Sequence, residues 1–210
     1  MRRYLLIGAT VALLAVPALA FGRATTTVTL TNTNSFTPSS VTKTVGAGSI
    51  HWRWGTSGTT FAVHNVRQDD RLFRSGNLTS HDSNGFTVVP SAGSFHYYCE
   101  AHGSRSGGMA GSIKVRPLIF NKTASSFGVR WSTGSNDTGG KFDVRYRVDG
   151  GAWKIWKNDV TTTQATFGAS NKPVHVAPNH IYDIQARSEK STNTSALSGW
   201  SPTARVPITG

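Results

Sequence analysis

Residues 97–102 read Tyr-Tyr-Cys-Glu-Ala-His, and Met109 follows seven residues after the histidine. Alternating apolar residues precede this stretch, which places Cys99 and His102 on a tight loop at the end of a predicted strand. A thiolate, an imidazole and a thioether are the donor types that hold copper in a trigonal site with a weak axial sulfur. His64 is the upstream candidate for a second imidazole, and the chain has no other cysteine to compete with Cys99.

The first 20 residues are typical of an export signal. An arginine pair precedes an apolar run from Tyr4 to Val16, and residues 17–20, Pro-Ala-Leu-Ala, form a small-residue cleavage site. A transmembrane anchor is the alternative, but the run is shorter than the roughly 20 residues of a membrane span. We therefore expect cleavage near Ala20, no transmembrane segment in the mature chain, and a secreted or periplasmic protein.

The single cysteine limits what this site can be. Exported proteins usually keep cysteines in pairs, because disulfides form outside the cytoplasm. Cys99 is therefore a metal ligand, an intermolecular bridge or a reactive thiol. The histidine three residues later favours the ligand.

The composition predicts an all-β protein with two domains. Short alternating stretches rich in threonine and valine recur between glycine and asparagine clusters, and no long stretch repeats every 3.6 residues. About 190 residues remain after the signal, which suits two domains of about 95 residues. A proline at position 117 marks the junction, so we predict a signal peptide over 1–20, a first domain over 21–116 and a second over 117–210.

The positive charge is spread evenly. Residues 21–116 carry nine basic and four acidic side chains, and residues 117–210 carry eleven and six. No lysine or arginine run alternates with aromatic residues, which argues against nucleic acid as a partner. The charge is either an ordinary solvated surface or a means of steering toward an acidic redox partner or an anionic cell surface.

Strand alternation places the cysteine inside the first domain. Within the predicted strand 94–99, Cys99 shares a face with Phe95 and Tyr97. That face points inward, where the thiolate can meet His64 at the end of a neighbouring strand.

Residues 25–116 resemble a bacterial plastocyanin or pseudoazurin-type cupredoxin. The resemblance implies a Greek-key β-sandwich that binds one copper ion and transfers electrons. The matching motifs are Phe36-x-Pro38, Gly46, His64-Asn65-Val66, Phe73-x-Ser75-Gly76, Gly93, Tyr97-Tyr98-Cys99-x-x-His102 and Gly108-Met109-x-Gly111-x-Ile113-x-Val115.

The same resemblance implies a role for each ligand. His64, Cys99 and His102 are the equatorial ligands, and Met109 is the axial one. Asn65 connects the two ligand segments through hydrogen bonds, which fixes ligand orientation.

One feature departs from the family pattern. The family usually has four residues between the last histidine and the methionine, whereas six separate His102 from Met109 here. Glycines at both ends allow the loop to bulge and return Met109 to the metal. The alternatives are a three-coordinate site and one closed by a backbone carbonyl.

The donor set predicts single-electron transfer. Ligands that suit both Cu(I) and Cu(II) keep the geometry nearly constant when an electron arrives. No coordination position stays open for a substrate, so we do not expect an enzyme. Ala101, Met109 and Ala110 are predicted to form an apolar docking patch for a redox partner protein. The alternative is a non-redox protein that sequesters copper or binds a surface.

Residues 117–210 resemble a fibronectin type III domain. The most specific marks are Trp131 on a predicted inner face, the Pro178 to Tyr182 spacing of a tyrosine corner, and the closing Ser201-Pro202. The resemblance implies a second β-sandwich that tethers or docks the first.

Two tryptophans of this second domain are candidates for contact with a polysaccharide or cell surface. Trp153 and Trp156 both follow the predicted hairpin turn at 149–151. The alternative is that one packs in the core and the other stands alone on the surface.

Overall fold

The computed structural model describes residues 24–168 and 174–209. Every helix or strand within these ranges is a β-strand, so the predicted all-β class is confirmed. The predicted signal at 1–20 lies outside the described residues. No helix in the described part of the chain is long and apolar enough to cross a membrane.

Strands β1 to β18 are numbered in chain order. They are β1 Thr26–Leu30, β2 Phe36–Thr37, β3 Ser40–Thr44, β4 Ile50–Trp54, β5 Thr59–His64, β6 Arg67–Gln68, β7 Thr79–His81, β8 Phe86–Val88, β9 Gly93–Ser104, β10 Gly107–Arg116, β11 Leu118–Phe120, β12 Phe127–Arg130, β13 Lys141–Val148, β14 Lys154–Val160, β15 Gln164–Phe167, β16 His180–Lys190, β17 Asn193–Leu197 and β18 Ala204–Ile208.

The strands before residue 117 form a β-sandwich. One sheet has the order β2-β1-β4-β8 and the other β3-β10-β9-β6. Their inner faces meet at Tyr97, whose ring centroid lies 5.2 Å from that of Trp52 and 4.9 Å from that of Phe36. Edge-to-face pairs between large, fully buried rings of this kind stabilise a core beyond the apolar area they bury.

The later strands form a second sandwich. Its sheets have the orders β11-β12-β15 and β14-β13-β16-β17, with β18 also paired to β16. Trp131 is fully buried, as its alternation predicted. The Tyr182 hydroxyl accepts a 2.9 Å hydrogen bond from the backbone N–H of Ala177, which is the geometry of a tyrosine corner.

Trp156 belongs to the core of the second sandwich rather than to an exposed binding surface. Its ring packs edge-on against Phe167 at 4.9 Å and against Trp131 at 5.9 Å between centroids. Of the two tryptophans proposed as surface contacts, Trp156 is therefore excluded as a binding residue.

Trp153 takes part in a stack of alternating cationic and aromatic side chains. The Arg145 guanidinium lies 4.5 Å from the Trp153 ring centroid and 4.2 Å from that of Trp200. At the two ends of the stack, Arg147 lies 4.7 Å from the Trp153 ring centroid and Arg187 lies 4.7 Å from that of Trp200. Cation–π contacts of this length already occupy the ring faces that a sugar would need.

Buried hydrogen bonds connect the two sandwiches. The Ser91 hydroxyl of the first lies 2.5 Å from the Thr138 hydroxyl and 2.6 Å from the Ser188 hydroxyl of the second. Ser94 and Gly199 also exchange two backbone hydrogen bonds, both 2.9 Å long. A one-residue connection at position 117 and this polar contact surface together fix the relative orientation of the sandwiches. The domain boundary at 116/117 stays a prediction.

Replacing Ser188 with alanine should destabilise the protein. The Ser188 hydroxyl is fully buried and donates to the Ala92 carbonyl at 3.0 Å, so its loss leaves buried partners unsatisfied. We expect about 1–3 kcal/mol less free energy of unfolding in urea. Ser112→Ala, which removes a surface hydroxyl pair with Ser40, is the control and should change stability by less than about 0.5 kcal/mol. Equal effects would contradict the role assigned to this contact.

Candidate metal centre

Two strands bring the predicted equatorial residues together. His64 is the last residue of β5 and pairs with Thr79 of β7. Cys99 and His102 both lie within β9.

An irregularity between β9 and β10 aims Cys99 and His102 at one point. The pairing passes from Tyr98–Ala110 directly to Gly103–Gly108, so the four residues of β9 from Cys99 to His102 face only Met109 on β10. In a regular strand, residues three apart point to opposite faces. The bulge removes this alternation and lets both side chains face the same site.

The donor atoms of these residues lie close together. The Cys99 Sγ is 3.7 Å from His64 Nδ1 and 3.6 Å from His102 Nδ1. One donor atom from each residue lies within 4.8 Å of both others. Cys99 and His64 are fully buried, whereas His102 is partly exposed.

These separations fit a metal ion between the donors. With metal–nitrogen distances of about 2.05 Å and metal–sulfur distances of about 2.3 Å, donors in one plane around an ion stand about 3.8 Å apart. In tetrahedral geometry the separation is about 3.6 Å. The observed sulfur–nitrogen distances of 3.7 and 3.6 Å lie within the range between these two values.

Met109 lies opposite this ligand stretch and is buried, with 2% of its surface exposed. The six residues between His102 and Met109 form a hairpin, in which β9 runs to Ser104 and β10 starts at Gly107. The extra length therefore extends two paired strands instead of displacing the methionine. The structure places Met109 beside the site, and its role as axial ligand stays a prediction.

The predicted apolar patch at the metal site is wrong in one member. Met109 is buried, so it cannot contribute to a docking surface with Ala101. The largest exposed apolar side chain of the described residues is Phe61 on β5, followed by Ile155 in the second sandwich. In β5 the exposed Phe61 and Val63 alternate with the buried Thr60 and His64, so the two apolar side chains face outward.

Asn65 connects the two ligand segments. Its Oδ1 accepts a 2.9 Å hydrogen bond from the backbone N–H of Glu100, next to Cys99. Its Nδ2 donates to the Gly76 carbonyl at 3.2 Å and to the Glu100 carboxylate. These contacts hold the segment after His64 against β9.

A charged network beside the site escaped sequence reasoning. The Glu100 carboxylate accepts a 2.7 Å hydrogen bond from Arg74 and lies 3.5 Å from Arg67. Partial burial acts to raise the pKa of Glu100, but hydrogen bonds from Arg74 and Asn65 and the two guanidinium charges lower it overall. Glu100 therefore stays ionised and keeps its contacts at neutral pH.

His64 is neutral at neutral pH. Burial lowers its pKa, the nearby His102 lowers it further, and the Thr31 carbonyl acts in the opposite direction. The Nε2 atom is buried and has no hydrogen-bond partner among the described residues. A neutral ring whose proton is on Nε2 leaves the Nδ1 lone pair facing Cys99 and free to bind a metal.

No family model and no curated protein sequence matches the chain. Among solved structures, a myokine structure has a TM-score of 0.36 and 12% identity, covering 46% of this chain and 96% of that one. A cytokine receptor complex has a TM-score of 0.31 and 16% identity, with coverage of 75% and 90%. The FN1–FN3 domains of chicken CNTN1 give 0.35 and 10%, with coverage of 70% and 54%. Similarities at TM-scores this low establish neither family nor function.

Proposed function

We propose that this chain is an exported type 1 blue-copper protein that transfers single electrons through one copper ion. The observation that carries the proposal is the convergence of His64, Cys99 and His102, with sulfur–nitrogen distances of 3.7 and 3.6 Å. Two imidazoles, one thiolate and a neighbouring thioether are the donors of that class of site. We further propose that the first sandwich is a cupredoxin domain.

Copper suits this donor set better than zinc. Structural zinc is held by four strong ligands, and catalytic zinc keeps a water in the fourth position. Here the proposed fourth donor is the thioether of Met109, which is buried on β10 opposite Cys99–His102 and is a weak donor that copper accepts. Cys99, His64 and Met109 are all buried from solvent.

The residues around the site would keep its geometry constant while electrons pass. Copper supplies the change between two oxidation states. Asn65 and Glu100 hold the two ligand segments at a fixed separation, which limits rearrangement. The partly exposed His102, beside a shallow depression lined by glycine and serine, is the edge through which a partner would exchange electrons. No group here suggests catalysis on a substrate.

The second sandwich is proposed to be a fibronectin type III module that tethers or docks the copper domain. Its buried Trp131 and the Tyr182 hydroxyl contact support this proposal. The predicted export signal at 1–20 supports a secreted or periplasmic location, where an acidic redox partner would meet the basic surface.

Electrochemistry tests the function. We expect the copper-loaded protein to give reversible one-electron voltammetry and rapid electron exchange with a small acidic redox protein, slowed by added salt. Sluggish exchange combined with tight retention of Cu(I) would overturn electron transfer and favour the alternative, copper sequestration.

Replacing Met109 with leucine tests the axial position. Leucine has a similar volume, so stability should change by less than about 1.5 kcal/mol and copper should stay bound. Loss of a sulfur that donates electron density to Cu(II) should raise the reduction potential, measured by voltammetry. Ile113→Val on the same strand is the control and should leave the potential unchanged. An unchanged potential in Met109→Leu would remove this residue from the site.

A further inference from the structure

The second sandwich carries a separate group of carboxylates. Asp143 on β13, Asp159 on β14 and Glu189 on β16 each place one oxygen within 4.8 Å of the other two. These strands are neighbours in one sheet, in the order β14-β13-β16. Asp143 and Glu189 are both 2% exposed, and Asp159 opens to solvent.

The charge of this group is only partly compensated by protein contacts. Arg187 donates to Asp143 Oδ2 through Nε at 2.8 Å and Nη2 at 2.7 Å. Asp143 Oδ1 accepts from the Asp159 backbone N–H at 3.0 Å, and Asp159 Oδ2 accepts from Asn158. One of the three carboxylates is therefore paired with a guanidinium, and Lys141 adds a positive charge near Glu189.

A buried oxygen of Glu189 points to a missing ligand. Its Oε1 is inaccessible to solvent and has no hydrogen-bond donor within the described residues. Buried polar atoms are nearly always satisfied, and a buried charge without a partner is costly. Burial raises the pKa of Glu189, and Asp159 and Asp143 raise it further, with Lys141 acting in the opposite direction. A positive ligand among the three carboxylates would remove this cost.

We propose that Asp143, Asp159 and Glu189 form a divalent cation site that takes calcium. Calcium binds oxygen ligands at about 2.3–2.6 Å, so ligands on opposite sides of the ion stand about 4.6–5.2 Å apart. Three carboxylate oxygens that all lie within 4.8 Å of one another can therefore contact one calcium ion together. Magnesium requires shorter distances and near-ideal octahedral geometry. The exposed side of Asp159 leaves positions for water, and hard oxygen donors separate this site chemically from the sulfur–nitrogen centre.

Calorimetric titration of calcium chloride into the full chain at neutral pH tests the site. We expect one calcium per chain with a Kd of about 10⁻⁴–10⁻³ M, the range of extracellular modules, and weaker binding of magnesium. Glu189→Gln and Asp159→Asn should each weaken calcium binding at least about tenfold. Asp149→Asn removes an equal charge from an exposed hairpin of the same sandwich and should bind as the wild type does.

Circular dichroism shows whether the variants fold. If Glu189→Gln does not fold, Asp159→Asn still tests the site, because Asp159 is exposed and its substitution should not unfold the protein. The proposal is overturned if millimolar calcium gives neither heat nor a rise in Tm, or if Asp149→Asn loses as much affinity as Asp159→Asn. If calcium does not bind the wild type and Glu189→Gln stabilises the protein, the calcium proposal is wrong. The unpaired Glu189 oxygen would then share a proton with Asp159. Calcium affinity should be equal with and without copper, so this result and the copper result can fail independently.

Discussion

Copper-loaded Cys99→Ser should lack the intense visible absorption band that we expect of the copper-loaded wild type. The band arises from charge transfer between a thiolate and Cu(II), and a serine hydroxyl stays protonated at neutral pH. Substitutions of residues that only support the ligands typically lower metal affinity about 10–100-fold. Loss of the Cys99 sulfur should lower copper affinity by more than this. The absorption spectrum and a copper titration measure both effects.

The fold should survive this change. Cys99 is fully buried, and its sulfur contacts the two histidine rings. The serine side chain is only slightly smaller than that of cysteine, so the variant should keep the circular dichroism spectrum of the wild type. His81→Gln, which removes an exposed imidazole bonded to Thr59, is the matched control and should keep the band. A blue Cys99→Ser protein would show that the sulfur is not a ligand.

Gly103→Ala should destabilise the hairpin that carries the ligands. A Cβ at this position would lie 2.3 Å from the Met109 carbonyl oxygen and 2.8 Å from its carbon. Both contacts are with backbone, so β10 must move away from β9. Overpacking of this kind costs about 1–3 kcal/mol of the free energy of unfolding, measured in urea. Because Met109 itself moves, the copper spectrum should change too.

Gly134→Ala is the control for this substitution. A Cβ at Gly134 meets no atom within 4 Å, so the change should stay within about 0.5 kcal/mol. Similar losses of stability in the two variants would mean that the close approach of β9 and β10 does not constrain the site.

The convergence of His64, Cys99 and His102 could be predicted because its signal is local. Cys99 and His102 are three residues apart, and His64 closes a strand whose alternation is visible in the sequence. The bulge that aims Cys99 and His102 at one point could not be predicted, because it depends on how β9 pairs with β10. The same pairing buries Met109, which explains why the predicted surface patch was wrong.

Charged contacts between distant segments were also out of reach. Arg74 meets Glu100 across 26 positions of the chain, and Asp143 meets Arg187 across 44. Single charged residues carry no sequence pattern that identifies their partners, since alternation assigns a face and not a neighbour. The calcium site proposed above belongs to this class of contact.

The core of each sandwich was easier to predict than the contact between them. Trp52 and Trp131 lie on apolar faces that strand alternation reveals, and both are fully buried. Ser91 and Ser188 read as ordinary surface residues, yet their hydroxyls meet in a buried contact. Small polar residues give no sign of burial unless the partner surface is known.

The electron paramagnetic resonance spectrum of the copper-loaded wild type tests whether Cys99 binds copper. We expect a Cu(II) signal with the narrow hyperfine splitting of a thiolate-bound trigonal ion, together with an intense visible band. A wide splitting typical of tetragonal nitrogen and oxygen ligation, or a colourless protein that retains only zinc, would contradict this expectation.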